Sequence, residues 1–105
     1  MLKLYNSLKR KKQEFKPIKN KQAGIYSCGP TVYDFMHVGN LRAFIFADIL
    51  KRYLEFSGYK VKQVMNLTDV DDKTIKRSQE QRVKLNQLTE KYEKAFLDDI
   101  KALNI

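Results

Sequence analysis

Leu2-Lys3-Leu4-Tyr5 alternates apolar and polar positions and predicts a short edge strand. Residues 6–23 are polar and basic, with Phe15 and Pro17 as anchors, and predict a connecting arm over the surface. Gly24-Ile25-Tyr26-Ser27-Cys28 is a short apolar run ending at Gly29-Pro30, which predicts a buried strand stopped by a turn. Pro30 has no N–H, so the ladder is not expected to pass through it. Residues 41–56 then place Phe44, Ile45, Ile49, Tyr53 and Phe56 at the spacing of one buried helix face. Asn40 stands at the expected N-cap and Gly58 at the expected left-handed C-terminal position. Lys60 to Met65, short and β-branched after a glycine, predicts a second strand. Residues 73–80 form a weaker helical stretch, and 79–84 predict a break. Leu85, Leu88, Tyr92, Phe96, Ile100 and Leu103 recur every three or four residues, an amphipathic helix over about 85–103.

Strand, helix and strand within residues 24–68 make one βαβ unit, which forces parallel pairing and a right-handed crossover. The chain is therefore α/β: an edge strand and basic arm (1–23), the βαβ unit (24–68) and a helical region (69–105) ending in the amphipathic helix. Ligands of such sheets bind beyond the carboxyl ends of the strands, here Cys28 to Thr31 and Asn66 to Thr68. A doubly wound domain needs four or more strands, and only two or three are visible. The expectation is half of a nucleotide-binding domain, with an open edge and an uncovered face.

Composition adds three exclusions. With 43% hydrophobic and 31% charged residues the 105-residue chain is neither disordered nor fibrous. No apolar run approaches the ~18 residues of a membrane span, and the N-terminus lacks the apolar core of a signal peptide. A single cysteine cannot form an internal disulfide, so a reducing cytoplasm is the expected location. The net charge is +9, and eight bases against one acid fall in residues 1–22. Such an arm attracts polyanions, RNA above all; it equally suits a solvated lysine-rich surface.

The chemistry lies in Cys28-Gly-Pro-Thr-Val-Tyr-Asp-Phe-Met-His37-Val-Gly-Asn40. A helix N-terminus offers free N–H groups and partial positive charge to a phosphate. Gly39 allows close backbone approach. His37 can donate to charge developing on a phosphoryl group. Asn40 can add a neutral donor or only cap the helix. A lone histidine at a helix start is more often a surface or capping residue, and a lone cysteine more often an inert small hydrophobe. From the residues alone the reading stops at an αβ unit with a nucleotide site.

His37-Val-Gly-Asn40 resembles the HIGH signature of class I aminoacyl-tRNA synthetases, in an HxGN form. The flanks are similar to the cysteinyl-tRNA synthetase family: Cys28-Gly-Pro-Thr-Val-Tyr-Asp, Asn66-Leu-Thr-Asp-Val-Asp-Asp-Lys73, Leu4-Tyr5-Asn6-Ser7-Leu8 with Phe15-Lys16-Pro17, and the tail from Ala95 to Ile105. HxGN alone is a weak signal; five segments in one register across the whole chain are a strong one. The resemblance implies the first βαβ half of a Rossmann-like catalytic domain. It implies activation of cysteine by ATP with Mg²⁺, followed by transfer to tRNA(Cys). By the same resemblance His37 and Asn40 are catalytic, and His37, Gly39 and Asn40 serve the ATP phosphates and adenosine. Gly29, Pro30 and Thr31, with Asn66, Leu67 and Thr68, line the cysteinyl-adenylate pocket, and Cys28 binds a zinc ion that holds the substrate thiolate. Zinc suits that task, since it stabilises a thiolate whose free pKa is ~8.5.

The chain departs from the family pattern at Ala43, where a threonine is usual, and at Lys84, where a capping serine is common. The remaining zinc ligands, the KMSKS loop and the anticodon-binding domain have no counterpart in these residues. The isolated chain is therefore expected to be inactive and to hold no stoichiometric zinc. Two alternatives share parts of the pattern. One is the cysteine ligase of mycothiol synthesis, against which the lysine-rich, glycine-poor composition argues. The other is a truncated paralogue that only binds RNA through the basic arm.

Overall fold

A computed structural model describes all 105 residues. The order is β1 (Lys3–Asn6), β2 (Lys11–Glu14), β3 (Gln22–Ser27), α1 (Val38–Phe56), β4 (Lys60–Met65), α2 (Asp72–Gln81) and α3 (Leu85–Ala102). β3 and β4 pair in parallel from Gln22↔Lys60 to Ser27↔Met65, with α1 as the crossover. The expected βαβ unit is present, and β4 has the expected bounds.

The connecting arm is corrected. Residues 11–14 are a strand that pairs antiparallel with β1, and Phe15 extends the hairpin by donating its N–H to the Leu2 carbonyl at 2.9 Å. Asn6 Oδ1 accepts from the amides of Leu8 and Lys9, and Arg10 takes a left-handed φ of 50°, so the turn closes without glycine. Phe15 then packs edge-on against Tyr59, with ring centroids 5.6 Å apart.

α1 begins three residues before its expected start, because His37 and not Asn40 is the N-cap. The buried face is also corrected. Phe44 is buried, but Ile45, Ile49, Tyr53 and Phe56 are exposed, and Leu54 is the other buried residue of the helix. Apolar residues surround α1 on nearly every side, and the two-stranded sheet can cover only one of them. For the same reason β3 is not a buried strand. Ala23 is its one buried residue, while Tyr26 and its cross-strand partner Val64 are exposed on the uncovered face.

The core gathers beyond the carboxyl ends of β3 and β4, where Val32, Leu88 and Tyr92 pack together with Leu67. Phe44 of α1 meets Phe96 of α3 edge-on at 5.2 Å. The weak helical stretch is a full helix, and the break is narrower than expected, residues 82–84. α3 has Lys84 as its N-cap and so begins without a side-chain cap, as the lysine there implies. The radius of gyration is 16.8 Å, against about 13 Å for a compact chain of this length.

All three helices end alike. Gly58 (φ 85°), Arg82 (φ 54°) and Asn104 (φ 60°) are left-handed, and the following residue donates its N–H back to the carbonyl five positions earlier. Glycine and asparagine accept that conformation readily; arginine does so at a cost of about 1 kcal/mol. Arg82→Gly is expected to raise stability by up to about 1 kcal/mol, offset in part by a freer unfolded chain. The check is a higher urea midpoint at unchanged slope.

Candidate functional site

Two strand tips and one helix start meet in a cleft of about 440 Å³. The tips are laced together beyond the sheet. The Gly29 N–H donates to Asn66 Oδ1 at 2.8 Å, and the Asn66 amide donates to Thr68 Oγ1 at 3.3 Å. The Thr68 N–H donates to the Pro30 carbonyl and the Val32 N–H to the Thr68 carbonyl, both at 3.0 Å. Pairing thus resumes at Thr31↔Thr68, past the proline that was expected to end it. The register never calls on the missing Pro30 N–H, since Pro30 takes part through its carbonyl. A Cβ on Gly29 would lie 1.7 Å from the Asn66 carbonyl oxygen, so only glycine fits.

His37 closes the other side. Its Nδ1 accepts the Gly39 N–H at 3.0 Å, and its own N–H donates to Asn40 Oδ1 at 3.3 Å, a reciprocal cap. The bond into Nδ1 assigns the ring proton to Nε2, which makes no bond within the chain and remains a donor. Gly39 permits this arrangement, since a Cβ there would stand 2.8 Å from His37 Cε1. The free N–H groups expected at the helix start are largely committed. Gly39 donates to the imidazole, and Asn40 and Leu41 donate to the His37 carbonyl. What the helix end still offers a phosphate is mainly the dipole and the imidazole N–H.

Cys28, Gly29, Pro30, Thr31, His37, Gly39 and Asn40 all line the cleft. Asn66, Leu67 and Thr68 stand behind it: Asn66 holds Gly29, Leu67 packs on the core, and Thr68 pairs with Thr31. Cys28 is exposed and not the inert buried residue that a lone cysteine suggests. Ala43 also lines the cleft, so the hydroxyl that the family pattern would place at this position is missing from its wall. Tyr33, Phe35 and Lys73 were not among the expected site residues, yet they form part of the wall. Tyr33 and Phe35 lie within the segment from Cys28 to Asn40 and Lys73 closes the aspartate-rich stretch, so all three stood inside motifs already singled out.

The expected zinc does not fit the donors gathered here. Zinc takes three or four ligands, and no three His, Cys, Asp or Glu side chains come together in the chain. One His37 nitrogen is committed to Gly39, and the Asp34 carboxylate is taken up by the Phe35 amide and the Arg77 guanidinium, which leaves one thiol and one imidazole nitrogen free on this wall.

The imidazole N–H and the dipole of α1 suit an anion such as a phosphate ester near His37, and the thiol of Cys28 lines the other end of the same cleft. Residues 14–105 match the model of the tRNA synthetases class I (C) catalytic domain. The cysteine–tRNA ligase of Brachyspira hyodysenteriae is 61% identical over 101 residues, 96% of this chain and 21% of that protein. Those of Limosilactobacillus reuteri and Thermococcus kodakarensis are 54% and 50% identical, over 100% and 99% of the chain and 22% of each protein. The chain therefore spans about a fifth of the length of these relatives. With the family match covering both strand tips, the histidine-capped helix and the helical pair that follows, the chain belongs to the class I (C) tRNA synthetase catalytic domain family.

Proposed function

We propose that the chain supplies the first part of the catalytic domain of a cytoplasmic cysteine–tRNA ligase, and that its cleft takes ATP and cysteine. In the first step a carboxylate oxygen of cysteine bonds to the α-phosphorus of ATP. The bond from that phosphorus to the bridging oxygen breaks, and pyrophosphate leaves with the electron pair. In the second step the oxygen of a terminal ribose hydroxyl of tRNA(Cys) bonds to the cysteinyl carbonyl carbon. The bond from that carbon to the phosphate oxygen breaks, and AMP leaves with the electron pair while the hydroxyl proton passes to the departing phosphate. His37 Nε2–H donates to the phosphoryl oxygens as charge builds on them, which lowers the barrier. Asn40 holds the backbone from which that ring projects. Gly29 to Thr31 form the floor under the adenylate, held by Asn66 and Thr68, and Cys28 faces the amino-acid end.

The observation that carries this reading is the placement of the free Nε2–H of His37 and the exposed thiol of Cys28 on one cleft. The test is a chimera in which residues 1–105 replace the matching fifth of the Brachyspira hyodysenteriae enzyme. Cysteine-dependent ATP–pyrophosphate exchange within about tenfold of the parent is the expected result. A folded chimera that binds ATP but exchanges no pyrophosphate would refute the reading.

The basic arm takes a definite form that suits RNA. Lys9, Arg10, Lys11 and Lys12 are all exposed at the hairpin turn and the start of β2. In this reading they meet RNA phosphates. Neutralising all four is expected to flatten the salt dependence of RNA binding, since each single-strand phosphate contact adds about 0.7 to the log–log slope.

A further inference from the structure

The rim of the cleft carries two aromatic rings attended by cations. Tyr33 lies under Lys73 Nζ, 5.6 Å from the ring centroid, and near the Arg77 guanidinium at 6.0 Å. Phe35 is 61% exposed and has Lys91 Nζ at 5.8 Å from its centroid. The segment between the rings is fixed. Asp34 accepts the Phe35 N–H through Oδ1 at 2.8 Å and the Arg77 guanidinium through Oδ2 at 2.9 Å. Phe35 also rests edge-on against buried Tyr92 at 5.0 Å, so its ring is presented, not free to collapse. Asp34 is neutralised by Arg77 and Glu80 lies near Lys76, whereas Lys73 and Lys91 have no carboxylate partner within 4.0 Å. An exposed ring, Phe35, beside a half-buried one, Tyr33, each with an uncompensated cation near it, is what a flexible single strand needs: a π face for a base and positive charge for its phosphates.

We propose that Phe35, between Lys91 and the Tyr33–Lys73 pair, is a stacking platform that receives the unpaired 3′-terminal nucleotides of an RNA at the mouth of the cleft. The proposal rests on the reading of the cleft as an adenylate site that hands its product to RNA, since Tyr33, Phe35 and Lys73 share the wall with His37. The platform grips the strand by stacking, which tolerates any base, and Lys91 tracks the adjacent phosphate.

The test compares two labelled RNA hairpins by fluorescence anisotropy with the chain as it stands. One hairpin has a four-nucleotide 3′ tail and the other is blunt. General attraction by the basic hairpin turn affects both and cancels in the ratio of their dissociation constants. The tailed RNA is expected to bind on the order of 10-fold more tightly, within the 5- to 150-fold range that base–aromatic stacking spans. Phe35→Leu should abolish the preference and Phe35→Tyr should keep it. Lys91→Gln should lower the salt slope for the tailed RNA by about 0.7. Equal binding of the two RNAs, no binding of either, or a preference that survives Phe35→Leu would each overturn the proposal. Circular dichroism checks that Phe35→Leu is folded; if it is not, the Lys91→Gln slope decides alone. Pyrophosphate exchange by the chimera is measured separately. A tail preference without exchange retains the platform and rejects the adenylate site, and exchange without a tail preference does the reverse.

Discussion

His37→Ala in the chimera will lower cysteine-dependent pyrophosphate exchange by about 10²–10³-fold, the usual loss on removing one preorganised donor from a developing charge. The Michaelis constant for cysteine should change much less. Two contributions are removed together in that variant, because the imidazole caps α1 through Nδ1 and points its remaining N–H outward. Loss of a cap costs about 1 kcal/mol of stability, and a catalytic defect could be mistaken for a helix that frays at its start. His37→Asn separates the two. Asparagine is among the best N-caps, so urea unfolding should match the parent while exchange stays depressed. If His37→Asn recovers most of the activity, the histidine is only a cap and the phosphoryl role is wrong.

Gly29→Ala should destabilise the chain by about 3 kcal/mol or more, at the severe end for a single added methyl. The added carbon would lie 1.7 Å from the Asn66 carbonyl oxygen and 2.9 Å from Met65 Cγ. Backbone cannot yield locally there, because the neighbouring Pro30–Thr68 and Val32–Thr68 bonds fix the spacing of the two strand tips. Separating the tips also strips Gly29 from Asn66. Gly24→Ala, in the strand β3 that leads to this tip, is the control. Nothing lies within 4 Å of a Cβ at that position, and stability should hold or rise slightly. Equal unfolding midpoints for the two variants would show that the tips are not laced as described.

Local pattern revealed the elements whose periodicity is strong. β4 and the apolar row of α3 lie where alternation and the three- and four-residue steps put them, because Leu88, Tyr92 and Phe96 truly face the core. The β1–β2 hairpin was illegible for a physical reason. Its turn carries no glycine or proline, its left-handed residue is Arg10, and Lys11-Lys12-Gln13-Glu14 has no apolar face. The sequence admits His37 as a capping residue but points to Asn40 for the N-cap itself, because asparagine is among the usual capping residues and histidine is not. Which face of α1 is buried cannot be read from a helix apolar on nearly every side; packing partners decide it, and here they cover only Phe44 and Leu54. Most residues from Cys28 to Asn40 line one cleft, whereas Asn66 to Thr68, expected to line it as well, stand behind it and hold its strand tips, a distinction that spacing alone does not encode.

The two-stranded parallel sheet has a consequence for amide hydrogen exchange. Each strand bonds on one side only, so the outward amides of β3 and β4 face solvent and will exchange quickly. Val32 and Thr68, locked to each other's segment beyond the sheet and beside the buried Leu88–Tyr92 cluster, will be among the slowest. Protection will therefore rise along the strands toward their carboxyl ends. The floor of the cleft will outlast, during partial opening, the sheet that carries it.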